Sequence, residues 1–266
     1  MDRQVHRERS KCCYQNWMAQ QGLDLDELLK AHAQNPTNID YLQLITKKVI
    51  THFENYNLAR AELAKHDLPA FLAPTWGSTF ENSVLWIGGC RPSLTIRLVY
   101  ALFGSQTSDG YSENDQLLIG VGHGKVSSSQ LKSIDDLRDK AIKEDDKLTS
   151  RLASLQEGKW ITNLLLGKDD SLQVGELNKI MEKAMNTRDQ EFYNVMMEAD
   201  KLRLSILKDV IDILTPLQAV ELLVAAKKLH LSLHECSKRR DIRMGYTHLL
   251  DSNSNNPSSS CQSPDP

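Results

Sequence analysis

The feature that most constrains this chain is a stripe of apolar residues, three and four positions apart, that starts at Val174 and persists to Ile213. Val174, Leu177, Met181 and Ala184 begin it, Arg188 interrupts it once, and Phe192, Val195, Ala199, Leu202, Ile206, Val210 and Ile213 continue it. Such spacing turns one side of a helix toward a core. The stripe far outruns the usual globular helix of about 11 residues, which predicts a long helix of a bundle. The same spacing recurs at Ile39, Leu42, Ile45, Val49, Phe53, Tyr56, Ala59 and Leu63, and again at Ile134, Leu137, Ala141, Leu148, Leu152 and Leu155. A further helix is expected over 11–34, with Trp17, Leu25, Leu28 and Leu29 as its apolar residues. Asn35-Pro36 breaks it, so it should pair antiparallel with the helix over 39–63.

Local signals set the other boundaries. Ser78-Thr79-Phe80-Glu81 reads as a capping box, predicting a short helix that runs through Val84 to Ile87 and stops at Gly88-Gly89. Pro92 is placed to open the next helix, which carries Leu94, Leu98, Ala101 and Leu102. Thr215-Pro216-Leu217-Gln218 ends the long helix and starts a last one, expected to reach about Lys238. Residues 104–129, rich in Gly, Ser, Asp and Gln, read as a surface loop, with a second break over 158–171. The fold class is all-α, a bundle of long antiparallel helices. One domain is expected over 11–241, with a flexible N-terminus over 1–10 and a disordered tail over 251–266.

Composition narrows the function. With 32 Lys and Arg against 35 Asp and Glu, the formal net charge is −3, so no global basic field draws the chain to nucleic acid. The five cysteines are odd in number and scattered, with Cys12 and Cys13 adjacent, which fits a reducing compartment better than a disulfide framework. No apolar run approaches the ~18 residues of a membrane span, and the charged start lacks a secretory core. The expectation is a soluble intracellular protein.

Catalytic patterns fail one by one. Gly120-Val121-Gly122-His123-Gly124-Lys125 misses the phosphate-loop glycine at Ile119 and the hydroxyl at Val126. Lys125 also takes the place of the last glycine of a dinucleotide fingerprint. There is no Gly-x-Ser-x-Gly elbow, His234-Glu235 lacks the second histidine of a zinc protease, and no Glu-x-x-His pair suggests a di-iron bundle. No catalytic residue is expected.

The sharpest chemical feature is His230 with His234, four apart and so on one face of a helix. They can chelate one metal side by side or line a helix contact. They cannot readily serve as the two axial ligands of one haem, whose faces are opposite. Trp76 and Trp86 read as core anchors. Lys238-Arg239-Arg240 with Arg243 is a small basic cluster at a helix end, suited to a nuclear signal or to the helix dipole.

Several blocks then read together: Ala73-Pro74-Thr75-Trp76, Glu81-Asn82, Leu85 to Ser93 (LWIGGCRPS), Arg97 to Leu102, Glu198 to Arg203 (EADKLR), and Ala226 to Glu235 (AKKLHLSLHE) followed by Arg240-Asp241. They closely resemble the plant delay-of-germination family, the seed dormancy regulators, over about Tyr14 to Asp241. The same domain forms the C-terminal part of TGA-type bZIP factors, but no basic region or leucine heptads precede it here, so direct DNA binding is not expected.

The resemblance implies a non-enzymatic, chiefly nuclear regulator that binds type 2C protein phosphatases of abscisic acid signalling. It also implies non-covalent b-type haem with His230 and His234 as the iron site, a phosphatase-binding segment at Tyr14 to Met18 that includes Tyr14 and Trp17, and room for a homodimer. Two positions depart from the family pattern: Asn16 stands where an acidic residue is usual, and Cys236-Ser237 stands for Trp-Gly. Cys236 adds a thiolate near any metal. The alternative role is a transcriptional co-regulator that reaches DNA through a bZIP partner.

Overall fold

The computed structural model describes residues 3–103, 126–158 and 174–246. Eight helices are found there: α1 (Arg3–Gln34), α2 (Ile39–Ala64), α3 (Leu68–Leu72), α4 (Thr79–Ser83), α5 (Ser93–Phe103), α6 (Ser128–Gln156), α7 (Val174–Ile213) and α8 (Pro216–Arg243). The stripe from Val174 to Ile213 is one 40-residue helix, with Val195, Met196, Ala199, Ile206 and Val210 buried along it. The loop over 104–125, most of the break over 158–171 and the tail over 251–266 lie outside the described residues.

Side-chain pairs fix the helix directions. His6 stacks on His66, Trp17 on Tyr56, and Lys48 bonds Glu27, so α1 and α2 run antiparallel as expected. Tyr14 meets His234, Asp24 pairs with Lys227 and His32 with Glu221, so α8 also runs against α1. Arg151 pairs with Glu198 and Lys140 with Asp209, setting α6 against α7. Leu28, Ala31, Leu42, Ile45, Val49, Val220 and Leu223 fill the space among α1, α2 and α8. A second core joins α5, α6, α7 and α8 around Ile96, Val99, Ile134, Ile206, Val210 and Leu222.

Three boundaries differ from the sequence expectation. Helix α1 begins at Arg3 rather than Lys11; Ser10 is fully buried, and His6 is held by its stack on His66, tertiary contacts that local patterning does not reveal. Helix α6 begins at Ser128, because Ser127 and Gln130 form a capping box inside the stretch read as loop. Helix α8 continues to Arg243.

The fourth difference is a correction of kind. The helix opened by Ser78 ends at Ser83 and does not reach Ile87. Gly88 does adopt a left-handed conformation, but together with Ile87 (φ 66° and 46°) it forms a tight turn in which the Trp86 and Gly89 backbones exchange hydrogen bonds of 2.7 and 3.1 Å. Positive φ at both central residues is the geometry of a type I′ turn. The turn is held from outside by Arg203, whose guanidinium donates to the carbonyls of Trp86, Ile87 and Cys90 and pairs with Asp200 at 2.6 Å. The glycines leave room for this clasp. A Cβ at Gly88 would lie 2.8 Å from the Phe71 carbonyl oxygen, and one at Gly89 would lie 2.8 Å from Arg203 Cζ.

Gly88→Ala should therefore lose more than about 2 kcal/mol, combining positive-φ strain with backbone overlap. Gly22→Ala, in a helix with open space around its Cα, should gain up to about 1 kcal/mol. Urea unfolding of both variants measures the contrast.

Candidate functional site: a histidine and carboxylate cluster between α1, α4 and α8

Position 81 is the third residue of α4, and its backbone N–H bonds the Ser78 hydroxyl at 3.1 Å. That cap turns the Glu81 carboxylate back over the helix start. Its Oε2 accepts from the Ser78 N–H at 2.9 Å and from the Ser78 hydroxyl at 2.7 Å. Its Oε1 accepts from His234 Nδ1 at 2.8 Å and from the Tyr14 hydroxyl at 3.3 Å. Two acceptor positions on each oxygen are thus met. With both protons directed at Oε1, the 3.5 Å approach of the Tyr14 oxygen to His234 Nδ1 is proximity rather than a third bond.

Helix α8 anchors α4 a second time. The Thr79 N–H and hydroxyl bond the Asp241 carboxylate at 2.7 and 2.5 Å, so a five-residue helix is pinned at both its first and third positions. Asp241 and Ser78 are fully buried.

The electrostatics follow from the contacts. Burial pushes the Glu81 carboxyl up, but the bonds from His234 and Ser78 outweigh it and hold the group down at about 2. Burial, reinforced by the Glu81 charge, raises the Tyr14 phenol. His230 is half-buried one turn before His234, and burial lowers its pKa and favours the neutral imidazole.

The expected site residues therefore separate. His234 is engaged through Nδ1, while His230 lies one turn away on the same face and takes no part in the cap. Cys236 is exposed; two residues beyond His234 means about 200° around the helix, which turns its thiol away from the histidine face. Tyr14 belongs to the cluster, 220 residues from His234 in sequence. Trp17 does not face solvent: it is 7% exposed, stacked 4.5 Å from Tyr56 and edge-on to Phe53, with the Lys227 ammonium 5.6 Å from its ring. Around it Asp24, Lys227 and His52 form a second buried polar group that sequence reading missed. Trp76 and Trp86 pack in one apolar cluster, as expected of core anchors. Among the described residues, no group of three or more His, Cys, Asp and Glu is arranged to hold a metal ion.

Fold and site define an all-helical bundle in which one buried carboxylate joins three helices. The family model for seed dormancy control, DOG1, matches residues 24–101. The chain is 36% identical over 242 residues to Protein DOG1-like 3 of Arabidopsis thaliana, covering 87% of this chain and 84% of that protein. It is 34% identical to Protein DOG1-like 1 over 251 residues, covering 87% and 89%. A more distant likeness, 25% over 217 residues, joins it to Transcription factor TGA2, covering 80% of this chain and 58% of that factor. The chain belongs to the DOG1 family of seed dormancy control proteins.

Because the folded Glu81 carboxyl lies below its ordinary 4.5, its ionised form stabilises the fold fully above the unfolded pKa, and this is lost as pH falls from about 4.5 toward 2. The stability gap between wild type and Glu81→Gln, on the order of 2 kcal/mol at pH 6, should narrow steadily over that window in urea titrations.

Proposed function

We propose that this protein regulates seed dormancy by binding other proteins, with type 2C protein phosphatases of abscisic acid signalling as its partners and haem as its cofactor, and that it acts chiefly in the nucleus. The supporting observation is the identity of about one third to DOG1-like proteins across most of the chain. The bundle adds a surface on which such binding can occur. On α1, Gln15, Asn16 and Ala19 are exposed, and Leu23 is 60% exposed. Trp17 acts from behind: its stack on Tyr56 holds this stretch of α1 flat against α2.

The donor chemistry suits haem. A porphyrin supplies four nitrogens itself and asks the protein for at least one more, which one imidazole of this face can give. His230, favoured neutral, is the residue to ligate iron. His234, its Nδ1 held by the Glu81 carboxylate, serves as the oriented neighbour. Bound haem would supply an iron centre responsive to redox state and small ligands.

Two measurements test the reading. In a pull-down with abscisic-acid-pathway phosphatases, the wild type should capture at least one, and Asn16→Arg should lose at least about tenfold in affinity, typical of a charge placed in an interface centre, with an unchanged melting temperature. Capture of none removes the phosphatase mechanism. Capture of a bZIP factor instead supports the co-regulator role, for which the likeness to TGA2 speaks. In a haem titration followed by absorbance, the saturable Soret shift should vanish in His230→Ala. Identical spectra for wild type and His230→Ala would return the histidines to a packing role.

A further inference from the structure

Tyr14 lies at the edge of the α1 surface just assigned to a partner, and His234 lies on the α8 face just assigned to the cofactor, yet both donate to one oxygen, Glu81 Oε1. That arrangement matters because the start of α1 is intrinsically weak. Its first turn has no acidic residue to complement the positive end of the helix dipole, and the contacts that follow, His6 on His66 and Arg7 with Asp67, run to the segment between α2 and α3 rather than to α8. Farther along α1 the ties to α8 are strong: Gln21 and Asp24 bond the buried Lys227 at 3.0 and 2.9 Å. Before Gln20, α1 meets α8 through the Tyr14–Glu81–His234 cluster and through the Trp17 ring, which faces the Lys227 ammonium. Local stability of a helix end is set by such tertiary contacts.

We propose that Glu81 is a positioning residue that latches the first half of α1 to α8, so that the state of His234 is transmitted to the partner face on α1. While Glu81 holds both donors, α1 stays docked as far as its early turns. A ligand that fixes the His234 ring in this pose favours the docked α1, and a partner that binds docked α1 favours the same ring pose, so the two affinities are linked reciprocally and positively. Loss of the His234 side chain frees Glu81 Oε1 from its closest donor and releases α1 at a distance. The linkage between partner and cofactor rests on the proposed function; the latch itself does not.

Amide hydrogen exchange of the full chain tests the latch directly. The comparison is between wild type, His234→Ala, Tyr14→Phe and the exposed, outward-facing control Cys236→Ser, with global stability read from urea unfolding of each. The expected result is exchange at least tenfold faster over residues 8–19 of α1 in His234→Ala and Tyr14→Phe. Residues 21–30 and the Cys236→Ser variant should stay near wild type. Unchanged exchange over 8–19 in His234→Ala overturns the latch. So does a uniform rise across all helices that tracks global stability. Adding hemin separates the two ideas. A Soret shift that leaves exchange over 8–19 unaltered rejects the linkage and keeps the cofactor; no Soret shift rejects the cofactor, while the variant comparison still decides the latch.

Discussion

A carboxylate can stay ionised out of water only if its lone pairs are met, and the way Glu81 meets its own decides which elements stand together. One oxygen closes the cap of α4 through Ser78; the other reaches across to Tyr14 on α1 and His234 on α8. Helix α4 has five residues, too few to stand by propensity alone. It exists as a bracket between its own cap and α8, with Asp241 supplying the second fixing point. The histidine face of α8 and the exposed stretch of α1 are thereby built on the same support.

A second buried charge plays the same part at the turn that follows α4. Arg203 is 6% exposed, and the turn at Gly88-Gly89 gives it three carbonyl acceptors while Asp200 balances its charge. Trp86, which leads into that turn, packs in the apolar cluster beside Val195 and Ala199 of α7 and donates its indole N–H to Thr149 of α6 at 2.9 Å. The tryptophan and the glycines are therefore one unit. The aromatic supplies buried area, and the turn brings its carbonyls to the guanidinium N–H groups that Asp200 leaves unmet.

Much of this was legible in the sequence, and the reasons differ by element. Helical spacing identified α7 from Val174 to Ile213 because a long amphipathic face repeats its signal many times. The boxes at Ser78 and Thr215 could be read because a cap is a local bond. Ser127 and Gln130 carry the same signal and were hidden only by the polar composition around them. Ile87 was misplaced in a helix because its positive φ is imposed by Arg203, 116 residues away. At the site, the spacing of His230 and His234 gave the shared face, but not the division between them, since Glu81 lies 153 residues from His234. Trp17 could be picked out as important, whereas its burial between Tyr56 and Lys227 required three helices in place. Blocks that carry the family resemblance turn out to meet in pairs: Glu81 with His234, and the Gly-Gly turn with Asp200 and Arg203.

The central claim is that Tyr14 and His234 act through one shared oxygen, and a double-mutant cycle addresses it most directly. Tyr14→Phe, His234→Phe and the double variant would be unfolded in urea at pH 7 beside the wild type. Sharing of Glu81 predicts a coupling free energy of about 0.5–3 kcal/mol, the range for groups in one hydrogen-bond network. Additivity within about 0.3 kcal/mol would show that the two side chains contribute independently and would contradict the account.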